Sequence, residues 1–159
     1  MKILPVIFKI MTMISTAPLE DFLTVQDLSQ LTPDIQSAHP LGTSKAPRGD
    51  MIYLNCEERL STLGVLEIRP ELGPRGRHMH LHKKEIFYII TGKMQGRYWH
   101  DHNPNQGYVF DHGPGHLITI QPGLFHEFIA IEPTWAVEFS PQIFNISDTV
   151  YPQETPFDS

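Results

Sequence analysis

The chain has 159 residues, 40% hydrophobic and 19% charged, enough for one core of ordinary size and hardly for two. Fourteen prolines and eleven glycines imply many turns and few long helices. A net charge of −6 without any stripe of Lys and Arg excludes nucleic acid as a partner, because phosphate binding is driven by clustered cations.

Met1 to Ile14 has a basic start and an apolar run that superficially resembles a secretory signal, but Pro5 and Lys9 interrupt a stretch already too short to span a bilayer. Met11 and Met13 are alternative starts, and an apolar arm packing on another subunit is the other reading. No membrane partner is expected. The single cysteine, Cys56, cannot form an internal disulfide, so nothing points to an oxidising compartment and a cytoplasmic protein is expected.

From Ser15 to Pro47 the chain reads as an irregular lead-in. Leu19, Phe22, Val25, Leu28 and Leu31, spaced three apart, predict a short helical face ended by Pro33 and packed against the outside of the strand region. Strands are predicted at Met51–Asn55, Ser61–Arg69, Arg77–His82, Glu85–Thr91, Lys93–His100, Tyr108–Phe110, His116–Gln121, His126–Glu132 and Trp135–Ser140. Turns fall at Glu57-Glu58, Pro70–Gly76, Gly92, Asp101–Gly107, Gly113–Gly115, Pro122-Gly123 and Pro133. Short strands at such spacing describe an all-β sandwich or barrel. The organisation is therefore a lead-in over 1–47, a β-barrel domain over 48–141, and a polar, Pro-containing tail over 142–159 that crosses to a partner or lies disordered.

Two segments carry the chemistry. In a strand, His78 and His80 share one face, so their imidazoles converge on a common point. Glu85 sits at an odd offset from His80 and joins them only if the chain turns between, at the polar Lys83-Lys84. His82 shares the parity of the pair but lies at the approach to that turn, and is read as solvent-facing or as supporting a ligand from behind. Some forty residues on, an apolar strand from His116 passes through Pro122-Gly123 into a second strand opened by His126.

Together these segments resemble the paired motifs of the cupin superfamily: His-x-His, four residues, Glu, six residues, Gly at His78, His80, Glu85 and Gly92, and then Gly115, a strand, and Pro122-Gly123-x-x-His126. Gly73 lies one residue closer to His78 than the leading glycine of the first motif, and Ala130 stands where the second often ends in Asn. The resemblance covers roughly residues 50 to 140. It implies a cupin-type double-stranded β-helix, or jelly-roll barrel, and a homodimer. If Glu85 faces inward, Phe87, Ile89 and Thr91 follow it while Ile86, Tyr88 and Ile90 face outward; two apolar faces need cover from a second sheet, the N-terminal segment or another subunit, and a homodimer is a reasonable expectation.

Three imidazoles and a carboxylate, from His78, His80, His126 and Glu85, suit one divalent ion, Fe, Mn, Ni or Zn, and leave positions open on a six-coordinate metal for a small-molecule substrate. The leading expectation is a metal-dependent isomerase or epimerase of a sugar or sugar phosphate, because the stretch from His126 through Phe144 to Thr149 looks like the closing strands of carbohydrate-acting cupins. Its acid and base would come from Glu138, His116, Tyr98 or Glu67, none singled out, since Glu138 and Glu67 alternate with apolar residues as solvated side chains also do. An Fe(II) cupin dioxygenase and a non-catalytic small-molecule-binding cupin are the alternatives. Arg69, Arg97 and Lys93 are candidate partners for a substrate phosphate or carboxylate.

Overall fold

The computed structural model describes residues 18–28, 41–46, 49–54, 58–103 and 105–157. Twelve strands run in chain order: β1 Leu23–Asp27, β2 Leu41–Ala46, β3 Gly49–Leu54, β4 Thr62–Ile68, β5 Arg75–His80, β6 Glu85–Thr91, β7 Met94–Trp99, β8 Gly107–His112, β9 His116–Ile120, β10 Phe125–Ala130, β11 Thr134–Ser140 and β12 Thr149–Val150. One five-stranded sheet has the order β1-β9-β6-β11-β4 and the other β12-β5-β10-β7-β8, while β2 and β3 form a separate hairpin. All pairings are antiparallel. The two sheets face each other as a jelly roll, and the expected all-β fold is the observed one.

Alternation explains the layers. On β6, Phe87 and Ile89 join Met94, Ile118, Ile120 and Leu124 in the core between the sheets. Each such side chain, fully buried, contributes about 1.5–3 kcal/mol. Ile86 and Tyr88 face outward and pack with Leu28, Leu117, Val137 and Phe139 in a second cluster. The expected parity of β6 thus holds, except that Thr91 is exposed.

Gly92 closes the β6–β7 turn with φ +85°, and a Cβ there would lie 2.2 Å from the Pro133 carbonyl oxygen. Only glycine accepts both the backbone conformation and the approach. A second irregularity sits at the start of β5. Its register with β10 shifts between His126 and Glu127, and Arg77 adopts φ 57°, a left-handed conformation that costs a non-glycine residue about 1–2 kcal/mol. Glu127, fully buried, holds Arg77 at 3.1 Å and Arg97 at 3.2 Å. This bulge sets the phase in which His78 and His80 follow.

Three expectations need correction. The helical face over Leu19–Leu28 is instead a 3-10 turn at Leu19–Asp21 followed by β1, which pairs along β9. The β-branched Thr24 and Val25 and an open sheet edge override a threefold apolar spacing. Leu31 and Pro33 lie outside the described residues, as does the segment from Met1 to Ala17. Within the lead-in expected to be irregular, Leu41–Ala46 is also a strand. The tail, finally, neither crosses away nor lies loose: β12 pairs with His80 and Met79 of β5, and Phe157 packs edge-on against Trp99 at 5.7 Å. Among the described residues, no helix is long and apolar enough to cross a membrane.

Candidate functional site

The site lies at one end of the space between the sheets. His78 and His80 come from β5, His126 from the neighbouring position on β10, and Glu85 from the first residue of β6 in the opposite sheet. The Leu81–Lys84 turn makes this meeting possible by carrying the chain from one sheet to the other. The Pro122-Gly123 turn fixes the end of β5, since the Gly123 N–H donates to the His80 carbonyl at 2.8 Å. The rings of His80 and His126 each lie with centroids 4.9 Å from that of His78, and donor atoms of His78, His80 and Glu85 lie within 4.8 Å of one another.

Glu85 is the hub. Its Oε1 is 3.2 Å from His80 Nε2 and accepts from Lys83 Nζ at 3.0 Å, while Oε2 is 3.1 Å from His126 Nε2. That last contact has ion-pair distance without hydrogen-bond alignment, so Oε2 is buried with no hydrogen-bond partner. His126 Nδ1 points to the Leu124 carbonyl at 3.3 Å. A ring donating there presents its Nε2 lone pair to Oε2, and two acceptors face one another. A cation between them relieves that arrangement. His80 is oriented in the same sense, with Nδ1 3.5 Å from Asp148 Oδ2 and Nε2 toward Glu85. A carboxylate behind a ring whose other nitrogen faces the centre is the usual support of a metal-binding histidine. His78, His80 and Glu85 thus present donor atoms close enough to share one divalent cation, and His126 adjoins them through Glu85.

The charges agree. Burial, with the charge of His126, lowers the His78 pKa to about 4, so its ring is neutral near pH 7 and keeps a lone pair. Burial pushes the Glu85 carboxyl up, but the adjacent His126 and His80 rings and the Lys83 ammonium outweigh it and hold the group well below the usual carboxylate range. Lys83 is lowered by burial and raised more strongly by Glu85 and Glu138, which keeps it an ammonium.

A cavity of about 230 Å³ opens on these groups, walled also by Phe87, Phe128, Phe144, Arg75 and Glu138. Of the acid–base candidates, Glu138 alone stands on it, bonded to Lys83. Glu67 pairs with Arg69 on the outer surface. Tyr98 is buried below Phe128 and bonds His112 Nε2 at 2.8 Å, and His116 packs near His112 with ring centroids 5.9 Å apart. Neither Tyr98 nor His116 reaches the cavity. The anion candidates are elsewhere too, with Arg69 on Glu67, Arg97 on Glu127 and Lys93 on Asp111. Arg75 at the cavity is the cation sequence reasoning misses, hidden in a Gly-Pro-Arg-Gly stretch with the composition of a turn. Lys83 is missed as well: its sequence context is that of a polar turn residue, yet it is 4% exposed. His82 is exposed as expected and meets Asp148 at 2.7 Å.

No protein-family model matches the sequence, and no curated protein sequence matches it. Solved structures do. A 3,4-ketoisomerase from Helicobacter canadensis superposes with a TM-score of 0.64 at 11% identity, covering 80% of this chain and 89% of that one. A TDP-quinovose 3,4-ketoisomerase from Campylobacter jejuni gives 0.63 at 10% identity, over 80% and 91%. A dTDP-4-dehydrorhamnose 3,5-epimerase from Bacillus anthracis, solved with TDP and pyrophosphate, gives 0.55 at 11% identity, over 70% and 74%. At such identities the likeness is one of fold: the chain is a cupin-type jelly roll of the shape that sugar-nucleotide ketoisomerases and epimerases share.

Proposed function

We propose that this protein is an isomerase or epimerase of a keto sugar or sugar nucleotide, working in the cavity at His78, His80, Glu85 and His126 with one divalent metal ion held by those four side chains. The observation that carries the reading is the convergence of three imidazoles and a carboxylate from both sheets on a cavity whose wall also holds a further carboxylate, Glu138. A bound metal ion supplies Lewis-acid polarisation of a carbonyl or hydroxyl oxygen. The chain's own residues do the rest. Glu138, whose Oε1 is fixed by Lys83, is placed to take a proton at Oε2 from the carbon beside the carbonyl and return it either to the other face of that carbon or to the old carbonyl carbon, the latter with the neighbouring hydroxyl proton passing to the old carbonyl oxygen. Phe87, Phe128 and Phe144 supply the apolar part of the cavity wall. Arg75, at its edge, is the group to meet a substrate phosphate. The volume is small beside the roughly 300–1,000 Å³ of sites for drug-sized ligands, which suits a single sugar ring with any nucleotide outside.

A second reading has its own support. Lys83 already neutralises Glu85, and Asp148 stands behind His80. That is also how an imidazole base is oriented for proton transfer without a metal. Both readings are tested by incubating the protein, stripped of metal or reloaded with Mn(II) or Zn(II), with TDP-4-keto-6-deoxy sugars in deuterium oxide. Deuterium entering the sugar beside the carbonyl is expected. Exchange that survives stripping favours His80 as the base; no exchange with any sugar, joined to iron-dependent oxygen uptake, would contradict isomerisation and favour a dioxygenase.

The proposal extends to a homodimer through the outer face of the first sheet. There Leu63 and Val65, 71% and 63% exposed, lie opposite Phe139 and Val137. Sedimentation of the native protein is expected to give twice the chain mass, and Leu63→Glu with Val65→Glu a single chain mass.

A further inference from the structure

A lysine in a surface turn ordinarily keeps its ammonium in water. Lys83 does not. It is 4% exposed, packs its Nζ 5.6 Å from the Phe144 ring centre, and divides its hydrogen bonds between Glu85 and Glu138. The oxygen it holds on Glu85 is Oε1, the same one that faces His80 Nε2. Any cation drawn to the three imidazoles and Glu85 therefore meets a fixed positive charge beside the only carboxylate in the set.

We propose that Lys83 and Glu138 are a built-in counter-charge that sets the cation affinity of the His78, His80, Glu85 and His126 cluster: the ammonium weakens binding by competing for Glu85, and Glu138 strengthens it by drawing the ammonium away. This rests on the metal reading of the site and assigns the two residues a role apart from ligation or chemistry. With neutral imidazoles, Glu85, Lys83 and Glu138 together carry a single negative charge. Removing the ammonium doubles it, and removing the Glu138 charge abolishes it. Inside a partly desolvated cavity, a unit charge within about 5 Å changes the affinity for a divalent ion by roughly tenfold or more.

The two residues thus have effects of opposite sign, which loss of structure cannot imitate. Chelator-stripped wild type, Lys83→Met, Lys83→Arg and Glu138→Gln are titrated with Zn(II) against a competing chromophoric chelator. Lys83→Met is expected to bind about tenfold more tightly, Glu138→Gln about tenfold more weakly, and Lys83→Arg within a fewfold of wild type. Binding in Lys83→Met equal to or weaker than wild type, with the thermal transition retained, overturns the counter-charge. If Lys83→Met does not fold, Glu138→Gln decides, with its thermal transition retained: weaker binding supports the proposal and equal or tighter binding overturns it. A wild type that takes no Zn(II) fails the metal reading itself, whereas a wild type that binds while the variants match it fails only this inference.

Discussion

Two histidine clusters among the described residues of the barrel have different surroundings. At one end His78, His80 and His126 surround Glu85 on a cavity. At the other, His112 and His116 meet beside Tyr98: His116 opens β9, whose far residue Ile120 pairs with Glu85. Neither His112 nor His116 lines the cavity at Glu85. The Tyr98 hydroxyl and His112 Nε2 pair at 2.8 Å, while His112 Nδ1 and His116 Nδ1 are buried without a hydrogen-bond partner. What separates the two clusters is the buried carboxylate among the first three rings and the cavity beside it.

That contrast can be broken at either end. The largest effect is expected from Glu85→Gln, which keeps the shape of the hub and removes its charge: Zn(II) binding should weaken by roughly a hundredfold or more, while His112→Gln leaves it unchanged. Equal losses in calorimetric titrations of the two variants would erase the distinction. Next comes Gly96→Ala at the closed end. Its new Cβ would lie 2.5 Å from the Tyr98 hydroxyl and 2.6 Å from His112 Nε2. Overpacking there should cost about 1–3 kcal/mol in chemical denaturation and spare metal affinity.

A third test is pH. Burial, with the charge of His116, lowers the His112 pKa from 6.5 to about 4. The unfolded chain then binds the extra proton between about pH 6.5 and 4, so stability falls as pH drops through that window, by up to about 1.4 kcal/mol per pH unit for one proton. His112→Gln should flatten this slope, and an unchanged profile would show that the ring is protonated in the native fold. The smallest effect belongs to the tail. Phe157→Ala removes contacts to Trp99 and to Arg97, 4.9 Å from the ring centre, and should cost about 1 kcal/mol in thermal denaturation without altering metal binding.

Much of this is legible in the chain. Strand alternation, turn glycines and the paired His motifs place nine of the strands and bring Glu85 to the face of Phe87 and Ile89 as expected. What escapes is what depends on long-range pairing. The apolar spacing from Leu19 to Leu28 fits a helix as well as an edge strand, and only the open side of β9 decides. Nothing local tells that Lys83 turns inward, because its partners Glu85 and Glu138 lie on two different strands. Asp148, in a stretch with the composition of a tail, is brought behind His80 only by the β12–β5 pairing. Tyr98 and His116 have the residue types of acid–base groups, yet the sheet register sends them away from the cavity.

The most direct measurement is the metal content of protein isolated without added ions, then stripped with a chelator and reloaded with Zn(II) or Mn(II), alongside Glu85→Gln treated identically. About one ion per native chain and almost none in the variant is the expected result, since a ligand set that keeps its carboxylate binds and one without it does not. Native protein that retains no more metal than Glu85→Gln, with both chains folded, would contradict the account.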